Sequence, residues 1–155
     1  MRRDFAEKRV SAGQMGLAPL DRFLGRVLRR LKLGREAVSV CLVTGRAIAG
    51  WNRAYRGKPR PTDVLSFPAN QRRKPERRPL SALRNGDRPR GYLGDVAIAP
   101  AVALRNAREA GRSLDEELRV LVLHGVLHLL GYDHEADGGE MERVETRLRR
   151  EFGLN

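Results

Sequence analysis

His124, His128 and His134 are the only histidines of the chain, and all lie in His124-Gly125-Val126-Leu127-His128-Leu129-Leu130-Gly131-Tyr132-Asp133-His134. The spacing suits a metal ion. Residues four apart on a helix share a face one turn apart, so His124 and His128 can present ring nitrogens to one point. Gly131 stands where such a helix must stop, because glycine takes the left-handed C-cap conformation at little cost. The chain can then turn back and deliver His134 as a third ligand. Three neutral imidazoles with a fourth position left to water describe a catalytic zinc ion, one per chain, rather than a closed structural one. The same donors suit nickel, copper or iron, and affinity order alone does not choose between them. A lone helical histidine is usually a core or surface residue; three in one segment, with a helix stop between them, resist that reading.

The helix that carries the first two ligands has a marked start. Ser113-Leu114-Asp115-Glu116 is a capping box, and the helix is expected to run from there to about Leu130. Leu118, Leu121, Val122, Val126, Leu129 and Leu130 make it apolar almost all round, which puts it at the centre of the fold and the histidines in a walled site. Upstream, Phe23, Leu24, Val27, Leu28 and Leu31 share one face of a helix that begins at Pro19 and ends at Gly34. Residues 38–44, 63–68 and 94–99 read as strands, and Ile48, Trp51 and Tyr55 mark a short helix stopping at Gly57. A helix over 100–110 has proline in its first turn, and Met141, Val144, Leu148 and Phe152 define a last amphipathic helix over 139–152. The alternation implies a single α+β (α/β-like) domain, a small mixed sheet packed on helices around the histidine helix.

The formal net charge of +12 arises from 31 basic against 19 acidic residues, an excess that suits a polyanionic partner, with RNA or DNA ahead of a membrane; solvated surface charge is the plain alternative. No apolar run approaches the roughly 18–20 residues that cross a bilayer, and no apolar signal core follows Met1-Arg2-Arg3, so a cytoplasmic protein is expected. A single cysteine, Cys41, cannot form an intrachain disulfide and sits in an apolar run. Residues 1–17 read as a loose leader with room for one early strand. Residues 69–91 read as an exposed basic loop, with Arg72, Arg73, Arg77 and Arg78 among Pro75, Pro79 and Pro89.

Three stretches in this order resemble the YbeY-type bacterial rRNA maturation endoribonucleases: Asn52-Arg53-Ala54-Tyr55-Arg56-Gly57-Lys58 continued by Pro61-Thr62-Asp63-Val64-Leu65-Ser66-Phe67-Pro68, then Leu93-Gly94-Asp95-Val96, then the histidine segment. The resemblance spans roughly residues 20–153. It implies a zincin-like core and zinc on His124, His128 and His134. It also implies single-strand-specific RNA cleavage in maturing the 3′ end of small-subunit rRNA, a part in ribosome quality control, and contact with the small subunit and ribosome-associated proteins. It makes Arg56 important for activity. The basic loop is longer and more basic than this family leads one to expect, and the leader matches poorly.

A three-histidine zinc lowers the pKa of bound water from 15.7 towards about 7 and polarises a phosphoryl oxygen. The planar fork of Arg56 suits a scissile phosphate. Metalloproteases of the HExxH class carry a glutamate after the first histidine; here that residue is Gly125, so a peptidase lacks its base, and the glycine suggests close helix–sheet packing. Asp133, Glu135 and Asp95 are candidates for handling protons, and Asp133 could equally orient a histidine from behind. Lys58 with Arg72, Arg73, Arg77 and Arg78 could track an RNA backbone, and Thr62 and Ser66 could touch phosphate or only complete turns. Trp51, Tyr55 and Tyr132 could stack on bases, but read first as core. The competing function is a ribosome-associated RNA-binding factor whose zinc is structural.

Overall fold

A computed structural model describes residues 18–57, 62–69 and 91–154, the side chains of Ala18 and Arg56 excepted. The elements follow the order α1 (Ala18–Arg30), β1 (Val38–Leu42), α2 (Gly45–Arg56), β2 (Val64–Pro68), β3 (Gly94–Ile98), α3 (Pro100–Ala110), α4 (Leu114–Leu129) and α5 (Glu140–Glu151). Among these residues the sheet order is β1-β3-β2, with β1 parallel and β2 antiparallel to β3, so the fold is mixed α+β as expected. β2 is an outer strand of this set, and that places it beside the site.

Side chains alternate across each strand and feed two cores. Val96 and Ile98 of β3 join Val38 and Leu42 in the larger core, against α1, α4 and α5. Ala97 and Ala99 face the other way, with Cys41, Leu65 and Phe67, under Ile48 and Trp51 of α2. Helix α4 is the hub of the larger core: Val122, Leu123, Val126 and Leu127 are fully buried. Burial on nearly every face is what its sequence demands. Met141 and Leu148 of α5 are also fully buried, and Arg30 of α1 grips Glu151 of α5 through two hydrogen bonds of 2.6 and 3.0 Å.

Two expected boundaries move, each for a local reason. Helix α1 ends before Gly34: Lys32 takes a positive φ of 60°, and Leu33 N–H reaches Leu28 O at 2.8 Å, closing the last turn. Strand β1 stops at Leu42 rather than running to residue 44, because the Thr44 hydroxyl accepts from Ala47 N–H at 3.1 Å and starts α2 instead. The leader and residues 70–90 of the basic loop lie outside the described residues.

Candidate metal centre

The middle of α4 is pressed onto the sheet at Gly125. A Cβ there would stand 2.5 and 2.8 Å from the two methyls of Val96, closer than real contacts allow. The Ser66 hydroxyl donates to Gly125 O at 3.0 Å and ties β2 to the helix at that level. Close packing is therefore the work of this glycine, as its position in the sequence suggested, and no glutamate could replace it. Ser66 spends its proton on this bond, so its first role is to join strand and helix. The approach sets His124 and His128 beside β2.

The end of α4 then brings in the third histidine. Gly131 N–H reaches His128 O at 3.0 Å and Tyr132 N–H reaches Leu127 O at 3.1 Å, the paired bonds of a Schellman motif, with Gly131 at φ 94°. Tyr132 is buried directly after the turn and anchors it. Asp133 Oδ1 accepts from Glu135 N–H at 3.1 Å, which makes a tight turn around His134.

The three rings converge. His124 and His128 approach edge to face at 4.7 Å between centroids, and His134 lies 5.5 and 5.3 Å from them. One nitrogen from each can be chosen so that all lie within 4.8 Å of one another. The Nε2 atoms of His124 and His128 are 3.1 Å apart. Two nitrogens on one tetrahedral zinc, each about 2.0–2.1 Å from it, would be separated by about 3.3 Å. The pair is thus at ligand spacing, and the donor set fits a metal ion. Burial, followed by the positive charges its two histidine neighbours can carry, pushes the pKa of His128 down to about 4, against a hydrogen bond to the Tyr132 backbone and the charge of Asp133. At neutral pH its ring is uncharged, the state in which a histidine can ligate.

Behind the cluster, Glu145 Oε2 of α5 stands 3.1 Å from His124 Nδ1. Glu145 does not stand out as a site residue in the sequence. A signal was present, since Glu145 falls four after Met141 and three before Leu148, an acid set in an apolar stripe.

In front, the cluster opens into a cleft of about 640 Å³. His124, His128, His134, Asp133 and Glu135 form one wall; Asn52, Thr62, Asp63 and the edge of β2 form the other. Asn52, a buried polar residue, and Asp63, held by Asn106 Nδ2 at 3.0 Å, were not singled out from the sequence. Thr62 lines the cleft with its hydroxyl 3.4 Å from Val64 O. Asp95 is not in the lining: it pairs across the sheet with Phe67 and accepts from the Tyr92 hydroxyl. Trp51 and Tyr132 are core residues, whereas Tyr55 is 43 % exposed although its ring packs edge-on against Phe67 at 5.1 Å. Arg56 closes α2, one turn after Asn52. Lys58, Arg72, Arg73, Arg77 and Arg78 lie outside the described residues.

Residues 14–153 match the family model described as Endoribonuclease YbeY. The chain is 44% identical to the endoribonuclease YbeY of Koribacter versatilis over 120 residues, covering 77% of this chain and 67% of that protein. Identity to the endoribonuclease YbeY of Aquifex aeolicus is 40% over 131 residues, covering 83% and 76%. A Thermotoga maritima protein solved in solution is similar in structure, with a TM-score of 0.53 and 30% identity over 86% of this chain and 80% of that one. No described helix is long and apolar enough to cross a membrane.

Proposed function

This chain belongs to the endoribonuclease YbeY family, and on that premise we propose that it is a zinc-dependent endoribonuclease cleaving single-stranded RNA in the maturation of the small-subunit rRNA 3′ end and in ribosome quality control. The observation that carries the reading is the convergence of His124, His128 and His134 at ligand spacing on the wall of an open cleft. A structural zinc would be closed by a fourth protein ligand. Among the described residues the cluster holds three.

His124, His128 and His134 would hold the ion, which when bound supplies a Lewis acid for a phosphoryl oxygen and a more acidic water. The chain's own groups do the rest. The cleft seats the RNA between the histidine wall and the β2 wall. Arg56, at the end of the helix that gives Asn52 to that wall, is assigned the scissile phosphate, since a guanidinium donates two parallel hydrogen bonds and stays charged. Lys58 and Arg72, Arg73, Arg77 and Arg78 are assigned to the RNA backbone beyond it, in line with the net charge of +12. Asp133 steadies the turn that delivers His134 and adds negative charge beside His128. Of the carboxylates considered for proton transfer, Asp133 and Glu135 remain at the cleft.

The test is cleavage of an RNA carrying the unprocessed small-subunit 3′ end by wild type and by His128→Ala, purified identically. Cleavage by wild type alone is the expected result. Equal cleavage, or none, would overturn an autonomous metal nuclease and favour a ribosome-associated RNA-binding factor.

A further inference from the structure

The contact behind His124 carries more than packing. Glu145 presents an oxygen 3.1 Å from His124 Nδ1, and its side chain is only 15% exposed. A carboxylate is acceptor-only when ionised, so this contact is favourable only if Nδ1 bears the hydrogen. The remaining lone pair of the ring then lies on Nε2, the atom that faces His128 Nε2 at 3.1 Å. Had the hydrogen been on Nε2, the ring would offer the cluster no ligand and would turn a lone pair toward the carboxylate.

The carboxylate is itself fixed. Met141 and Leu148, one turn to either side on α5, are fully buried, so the helix cannot roll to withdraw Glu145. The start of α5 is pinned by Asp137, which accepts from Gly139 N–H at 3.0 Å and Met141 N–H at 2.8 Å. Asp137 follows His134 by three residues, so the turn that delivers the third ligand runs directly into the helix that holds the first. A second opening of about 280 Å³, lined by His124, His134, Gly139, Glu142 and Glu145, lies on this side.

We propose that Glu145 is a positioning residue for the metal centre: it holds His124 in the tautomer that bares Nε2, and thereby links the seating of α5 to metal occupancy. The inference rests on the metal reading of the three histidines, and not on the RNA assignment. A carboxylate behind a ligating imidazole raises its basicity and fixes its angle, and loss of such a partner typically weakens metal binding about 10–100-fold.

Three measurements on the full chain decide it. Nitrogen NMR of metal-free wild type is expected to show the Nδ1–H tautomer at His124; the Nε2–H tautomer would overturn the proposal, and this readout needs no metal. Zinc affinity, read by competition with a chromophoric chelator, is expected to fall about 10–100-fold in Glu145→Ala and less in Glu145→Gln, whose amide oxygen can still accept. Affinity within twofold of wild type in Glu145→Ala would overturn it. Should the alanine variant fail to fold, Glu145→Met, which keeps the bulk but has no strong acceptor, carries the test, and affinity within twofold of wild type there would overturn it. Zinc is expected to slow amide exchange across α5 in wild type; exchange indifferent to zinc would overturn the link. Tight zinc binding without RNA cleavage by wild type would fail the nuclease reading and leave this one standing.

Discussion

At its first turn α4 is held by parts that back one another up. Ser113 Oγ accepts from Glu116 N–H at 3.2 Å, Asp115 meets Arg119 at 3.1 Å, and Glu117 faces Arg112 at 3.5 Å. Acidic side chains there also suit the positive end of the helix dipole. At its last turn there is no such redundancy. Gly131 must be left-handed, Tyr132 must be buried, and only then does His134 reach the ring pair. One end supplies stability in small independent amounts; the other is one geometric solution for placing three rings. Changes at the first should cost stability and spare the metal, and changes at the second should cost the metal first.

The sharpest break of that contrast is His128→Ala, for which RNA cleavage is expected to drop to background while circular dichroism of the fold is retained; residual zinc-dependent cleavage would remove the centre from the mechanism. Gly125→Ala comes next, between the two ends. Its new methyl meets Val96, and overpacking of this kind costs about 1–3 kcal/mol, read as a lower denaturant midpoint.

Acid should act at the histidine end. His128 has its pKa depressed from 6.5 to about 4 in the fold, so below pH 6.5 the unfolded chain takes up a proton that the folded chain refuses. Stability of the metal-free protein is therefore full above pH 6.5 and falls as pH drops through the window down to about 4. At pH 5 the loss is about 2 kcal/mol by denaturant titration, and His128→Gln should flatten it.

Gly131→Ala forces a side chain into the left-handed region at about 1–2 kcal/mol, and is expected to weaken zinc binding as well, because His134 moves with the turn. Ser113→Ala is the smallest: about 1 kcal/mol of stability, with zinc affinity and cleavage unchanged. A loss of zinc affinity in this last variant would erase the distinction between the two ends.

The same contrast separates what the sequence shows from what it hides. Helix α4 was legible from end to end, because a capping serine, an apolar run and a stopping glycine are all local signals, and the ligand spacing rides on them. Gly125 was legible too, as a missing glutamate and a close approach. Asn52 and Asp63 were not, and the acid of Glu145 in its apolar stripe named no partner, since each reaches the site from another element and only the packing of α2 and β2 on the sheet and the seating of α5 bring it there. The end of α1 misled in the opposite sense: Gly34 looked like the stop, but Lys32 takes the left-handed turn because Leu33 then becomes buried. Thr44 reads equally as strand or helix cap, and the hydroxyl bond to Ala47 decided it.

All three histidines come from an 11-residue stretch. Closing so short a loop costs little chain entropy, so an ion could engage these residues before β1, β2 and β3 have come together. Such early capture lowers the unfolded state along with the folded one, and an ion that binds both stabilises neither strongly over the other. The melting temperature of the protein should then respond to zinc by less than the tightness of binding suggests. Part of the response that remains would pass through the long-range tie, 21 residues along the chain, between His124 and Glu145. In order of assembly, the centre would be an early and local event, and the docking of the last helix the step that makes the ion matter to the whole.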